Sequence, residues 1–306
     1  MTWLIVALLA YLILAIVFLA DKYLLTNGIP NPKLFAFYSG LSGFLLLPLI
    51  FFIDFEVFSW YYIGVSFLSG ISFFLALFLF YRTLKIFEVS RVVPAVGALT
   101  PIFSLILALV FSAGQEVIKG YEALALLFLV IGSFLINYKP DKKIPIKSLL
   151  FSSLASFFFS LYFISSKYVY TEHSFLSSLI WINLGGSLMA TIFFIAFREI
   201  RKEIFVKKET INKKTVFVFF GSKILSAGGG LLQNFAVFLA PSMTAVAMIN
   251  GLQGMQYGFL LVIAVFLSLK YPNIIKEEIS RKIIVQKVIS ILLIVLGLFI
   301  ISSFNF

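Results

Sequence analysis

From Thr2 to Ala20 the chain carries no charged side chain, and this is the first of about ten long, predominantly apolar stretches along the chain. A helix that is apolar on every side has no face to offer water, and a bilayer core of about 30 Å takes roughly 20 such residues per crossing. The spans predicted on this basis lie near 2–20, 34–53, 60–81, 90–112, 120–137, 148–168, 175–197, 215–237, 242–268 and 284–303. Of the 306 residues, 61% are hydrophobic and 12% charged, with a mean hydropathy of +1.09, which is more apolar surface than a soluble core can use. The chain therefore reads as an all-α integral membrane protein with ten transmembrane helices. The first stretch lacks a basic leader and an A-x-A site, so it reads as a retained helix rather than a signal peptide.

The segment ADKYLLT around Lys22 returns about 145 positions later as SSKYVYT around Lys167, each copy closing the first span of its half. The Gly43 region pairs with Gly186 in the second span of each half, and IGSFLI around Gly132 pairs with LGLFII around Gly297 in the fifth. Three matches in one order give two five-helix repeats, 1–138 and 148–306, joined by a basic linker at 139–147. An odd number of spans per repeat makes the second copy enter from the opposite side, so the repeats are inverted in topology.

A net charge of +11 raises the question of nucleic acid, but the cations sit in short loops between apolar stretches and mark topology instead. Odd-numbered connections hold Lys22, Lys33, Arg82, Lys85, Arg91, Lys139, Lys142, Lys143 and Lys147, then Arg198 to Lys214 and Lys270 to Lys287. Even-numbered ones hold essentially Lys119 alone. Odd loops are thus expected on the cytoplasmic side of a bacterial or archaeal plasma membrane, with both termini outside. The chain has no cysteine, and its single His173 cannot build a histidine cluster, so neither metal nor cofactor is expected.

The end of the third span with the start of the fourth reads LFLFYRTLKIFEVSRVVPAVGALTPIFSLILALVFS, and its counterpart reads QNFAVFLAPSMTAVAMINGLQGMQYGFLLVIAVFLS. This arrangement resembles the drug/metabolite transporter superfamily in its ten-helix, EamA-like branch, over nearly the whole chain. The resemblance implies a transporter. Two features depart from the usual family pattern: Gly254 replaces the common proline of the second copy, and the charge bias puts the termini outside.

Ionisable and amide groups inside spans are costly, so each is a candidate for substrate binding or gating. Lys223 lies about eight residues into the eighth span, where it either snorkels to the headgroups or draws an anionic solute into a cavity. The same span continues through Gly228, Gly229 and Gly230 to Gln233 and Asn234. The ninth presents Asn250, Gln253 and Gln256, whose spacing of three keeps them near one face. Such residues also pack and hydrogen-bond helices in lipid. Their first-half counterparts, about 153 positions earlier, are Gly70, Phe80, Tyr81, Gly97, Thr100 and Phe103, so polar recognition is expected mainly from the second half. Asn183 and Arg91 complete the binding or gating candidates with Lys22 and Lys167. The glycine run, Pro94 and Pro101 are the hinge candidates. If the halves are inverted, Lys22 faces the cytoplasm and Lys167 the disfavoured side, which marks Lys167 as a possible gate.

Carboxylates fall at span ends or in loops, as at Asp21, Glu88, Glu116, Glu122, Glu172 and Glu199. Proton-coupled export of cations, which needs a carboxylate at mid-membrane, is therefore disfavoured. The expected activity is movement of a small neutral or anionic metabolite by alternating access through a central cavity between the repeats. A lipid or lipid-linked sugar flippase is the alternative. An intramembrane enzyme built on Ser222, Lys223 and Ser226 lacks any GxSxG, HExxH or paired acids, so no catalytic residues are expected. The partners expected are a small-molecule substrate and membrane lipids, without nucleic acid, for a monomer or homodimer.

Overall fold

The spans form helices because each is a long apolar run bounded by proline, glycine or charge. A computed structural model describes residues 2–27, 32–87, 89–135, 138, 145–205, 213–270 and 281–303, with no strand among them. The first half comprises α1 (Thr2–Asn27), α2 (Pro32–Leu41) continued by a 3-10 segment (Ser42–Phe52), α3 (Trp60–Ile86), α4 (Val89–Phe111) and α5 (Gly120–Leu135). Then come α6 (Ile146–Glu172), α7 (Phe175–Ala196), α8 (Arg198–Phe205), α9 (Lys213–Leu239), α10 (Met243–Gly251), α11 (Gln253–Lys270) and α12 (Arg281–Ser303). Among the described residues, six segments are long and apolar enough to cross a membrane: Thr2–Asp21, Pro32–Phe52, Trp60–Ile86, Val92–Phe111, Ile146–Glu172 and Phe175–Ala196. Gly120–Leu135 and Val285–Ile301 are shorter apolar helices. The turn at 28–31, most of the linker (139–144) and the basic connections 206–212 and 271–280 lie outside the described residues.

The structure departs from the predicted spans in several places. The second span tightens to 3-10 geometry from Ser42, where Pro48 removes a backbone donor and Gly43 lies against α7. The third and sixth helices run on to Ile86 and Glu172, past the expected ends at 81 and 168. The ninth span is broken at Leu252 into α10 and α11. Finally, α8 occupies what reads as a loop. Its Ile200 is buried with Leu34, Phe37 and Phe193, and Arg201 donates to the Phe194 carbonyl at 2.9 Å and to that of Ile195, at the end of α7. A cation placed on a helix C-terminus satisfies carbonyls that the helix leaves open.

Small residues set the helix contacts, as expected where lipid supplies no hydrophobic drive between helices. A Cβ on Gly185 would sit 2.6 Å from the Cα of Phe67, and one on Gly70 would overlap the Ile182 carbonyl, so α3 and α7 touch backbone to backbone. On α6, Ser148, Ser152, Ser156 and Ser160 recur at one-turn spacing and are fully buried. Ser156 and Ser160 donate to the Val96 and Thr100 carbonyls of α4, at 3.4 and 2.7 Å, on either side of Gly97. Gly97 is the residue whose carbonyl loses its helical donor to Pro101. On the outer face of α1, Ile5, Leu9, Leu12 and Ile16 are exposed, the pattern of a helix that meets lipid.

Helix pairing is extensive between the two halves: α1 packs on α9 and α11, α3 on α6 and α7, α4 on α6 and α10, and α5 on α12.

Candidate functional site

A cavity of about 550 Å³ lies between α1, α3, α6, α9 and α11. Its walls follow from helical periodicity. Leu14, Val17, Phe18 and Asp21 share one face of α1; Phe73, Leu77, Phe80, Tyr81 and Leu84 share one face of α3; Ser226, Gly230, Gln233 and Asn234 share one face of α9. Phe159 and Tyr162 of α6 and Gln256 of α11 complete the inner end. The cavity is one-ended, running from the last turns of α1 and α3, where Lys85 is exposed, to the level of Leu14, Phe73 and Asn234.

The inner end is polar and tightly bonded. Tyr11 donates to the Ile249 carbonyl at 2.8 Å, so its oxygen is left to accept from Gln233 Nε2 at 3.3 Å. Gln256 Nε2 donates to the Leu14 carbonyl at 3.2 Å. Asn234 makes three bonds: its Oδ1 accepts from Tyr162 and Tyr170, at 2.9 and 3.0 Å, and its Nδ2 donates to the Gly230 carbonyl at 2.9 Å. Each partner fixes which end of the amide is nitrogen, since a carbonyl only accepts.

At the mouth, Ser222 and Tyr81 donate to the two carboxylate oxygens of Asp21, at 2.9 and 3.5 Å. Lys223 does not line the cavity. Its ammonium lies 4.0 Å from the centre of the Phe35 ring and 5.6 Å from that of Phe219, and donates to Ser39 Oγ at 3.3 Å. A lysine in that aromatic recess is held by ring quadrupoles and a hydroxyl, about one turn before Ser226 on α9.

Beyond the amides, charged side chains cap two helix ends. Lys167 Nζ donates to the carbonyls of Phe238 and Ala240 where α9 ends. Glu116 accepts from the backbone amides of Met243 and Thr244, both at 2.7 Å, where α10 begins. A cation on the carbonyl end and an anion on the amide end match both helix dipoles.

Of the residues singled out from the sequence, Gln233, Asn234 and Gln256 meet in the cavity. Asn250 is buried against α4 and donates to Ser104 at 2.7 Å. Asn183 donates to the Leu179 carbonyl within its own helix, and Gln253 is not among the lining side chains. The side chains of Lys22 and Arg91 lie outside the described residues. Helix α9 is unbroken through Gly228, Gly229 and Gly230, which respectively meet open space, pack on Leu14 and Ile13, and line the cavity; α4 is likewise continuous through Pro94 and Pro101. Phe80 and Tyr81, matched by position to Gln233 and Asn234, do stand in the opposite wall. Asp21 sits at a span end as read from the sequence, yet its carboxylate borders the cavity. Phe73, Phe159 and Tyr162 carry no sequence mark that separates them from the other aromatics.

Residues 1–138 match the model of the EamA-like transporter family, which is consistent with the drug/metabolite transporter superfamily. No curated protein matches the chain. A solved structure described as "Crystal structure of protein" superposes with a TM-score of 0.68 at 13% identity, covering 98% of this chain and 94% of that one. At that identity the likeness is one of fold. The family match and the apolar helices together mark an integral, multi-pass membrane protein, and point to a transporter rather than an enzyme.

Proposed function

We propose that the chain carries a small polar metabolite across the membrane by alternating access, through a cavity formed between two inverted five-helix repeats. In this reading the ten spans are α1, α2 with its 3-10 continuation, α3, α4, α5, α6, α7, α9, α10 with α11, and α12. Helix pairing supports the repeat: exchanging the halves turns the α1–α9 contact into α6–α3, turns α4–α6 into the α10/α11–α1 contact, and maps α5–α12 and α4–α10 onto themselves. The single observation that carries the function is a one-ended cavity. Amides of α9 and α11 form its inner end, and the seal made by Tyr11, Lys167 and Glu116 lies behind them. A bundle open on one side and bonded shut on the other is one of the two states such a carrier needs.

With the odd loops placed in the cytoplasm by their lysines and arginines, the cavity opens inward. The apolar wall of Phe73, Phe80 and Phe159 also favours a second reading, a flippase that holds an acyl or prenyl chain there.

Because the chain lacks cysteine, a Ser226→Cys variant is uniquely labelled. In proteoliposomes its thiol should react with an impermeant maleimide from the cytoplasmic side and become protected when a transported metabolite is added. Equal labelling from both sides, or no flux across a broad metabolite panel, would sink the carrier reading. Lipid scrambling without solute flux would install the flippase.

A further inference from the structure

We infer that the cavity selects a substrate whose buried head is a flat, uncharged group with a donor beside an acceptor, such as a carboxamide, lactam or urea, attached to an apolar ring or short chain. The inference rests on the carrier reading and names its substrate class. It follows from which polar atoms remain free at the inner end. Asn234 has both its oxygen lone pairs and one amide proton committed within the protein. Gln233 and Gln256 each use one N–H, toward Tyr11 and Leu14, and the Oε1 of each accepts nothing among the described residues. Each terminal amide thus presents one acceptor and one remaining donor, the pattern complementary to another amide edge.

Charge points the same way. Among the described residues the inner end holds no cation: Lys223 is turned to Phe35 and Ser39, and Lys85 stands at the exposed mouth. An anionic head brought to Gln233 and Gln256 would lose its hydration against two amide oxygens, with no positive group to compensate. A cationic head fares little better. Asp21, the one lining carboxylate among the described residues, is at the mouth and already accepts from Ser222 and Tyr81. Behind the head, Phe73 stands 4.7 Å from Tyr162 and 6.3 Å from Phe159, centre to centre, a continuous aromatic wall for an apolar body.

The test uses three probes of one shape: nicotinamide, nicotinate and 3-picolylamine, which are neutral, anionic and cationic at neutral pH. Binding to the purified full-length protein in nanodiscs is measured by calorimetry and by the shift of the intrinsic-fluorescence melt. Nicotinamide should bind about tenfold or more tightly than either charged probe. Gln256→Leu should abolish that preference, whereas Gln256→Glu should transfer it to 3-picolylamine. Nicotinate binding as well as nicotinamide, or no probe binding to a protein that still carries solute, would overturn the head class while leaving the carrier standing. Selective binding of the amide by a protein that moves no solute would uphold the head class and overturn the carrier.

Discussion

The ammonium of Lys167 lies 2.5 Å from the Ala240 carbonyl and 3.0 Å from that of Phe238, so a lysine marked by the internal repeat closes the C-terminal end of α9. Replacing it with methionine keeps the stem and strands two carbonyls at a buried helix end. Hydrogen bonds from a charged donor contribute about 1.5–3 kcal/mol, so Lys167→Met should lower stability by about 2 kcal/mol. A thermal melt of the purified variant that matches the parent would show that the cap is idle.

Asn234 joins α6 to α9 by accepting from two buried tyrosines. Asn234→Leu leaves both hydroxyls without their acceptor, at about 1–3 kcal/mol each. Tyr162→Phe or Tyr170→Phe should each cost about 1 kcal/mol, because one bond is lost and the amide keeps the other. Denaturation midpoints for the three variants check that order, and a tyrosine variant worse than Asn234→Leu would contradict it.

Gly185 has no room for a methyl group, whereas a Cβ at Gly64 meets nothing within 4 Å. Gly185→Ala must therefore push α3 from α7 and should cost about 1–3 kcal/mol. Gly64→Ala should be neutral or stabilise by up to about 1 kcal/mol through helix propensity. Both are read from melts of the same preparation.

Outside the spans, in the connection 53–59, the Glu56 carboxyl is held below its ordinary range, first by the Ser174 hydroxyl and then by His173 and the Ser174 amide. A carboxyl whose folded pKa is depressed contributes stability above its unfolded value of about 4.3, and that contribution disappears as pH falls through the folded value. The melt of the parent should therefore drop below about pH 4.3, and Glu56→Gln should remove part of that drop. The group is largely in solvent, so the effect is small. Parallel melts of both proteins across pH 3–6 would expose an unchanged slope.

Spans were legible because lipid demands long apolar runs, and Gln233, Asn234 and Gln256 because amides are rare there. What the sequence hides is direction. Lys223 and Lys167 read alike as cations inside helices, yet one lies over Phe35 and the other caps α9. Neither partner is within 70 residues of its lysine. Asp21 was hidden for a simpler reason: a carboxylate at the end of a span looks solvated until α3 and α9 bring Tyr81 and Ser222 to it. Helix α8 escaped notice because its charged surface gives no apolar run; Ile200 and Ile204 in the packed cluster, Arg201 on the end of α7 and Glu199 on Lys33 tie it down.

The break at Leu252 divides one span between two structures. Helix α10 is fastened to the first half, through Glu116 at its start, Asn250 to Ser104, and the Gly251 carbonyl to Ser133 at 3.2 Å. Helix α11 instead reaches the cavity with Gln256, about one turn past the break. In the proposed carrier, a substrate pulling on that amide would load a short lever beside its fulcrum, and the far arm of the lever would be the helix that holds the proposed seal.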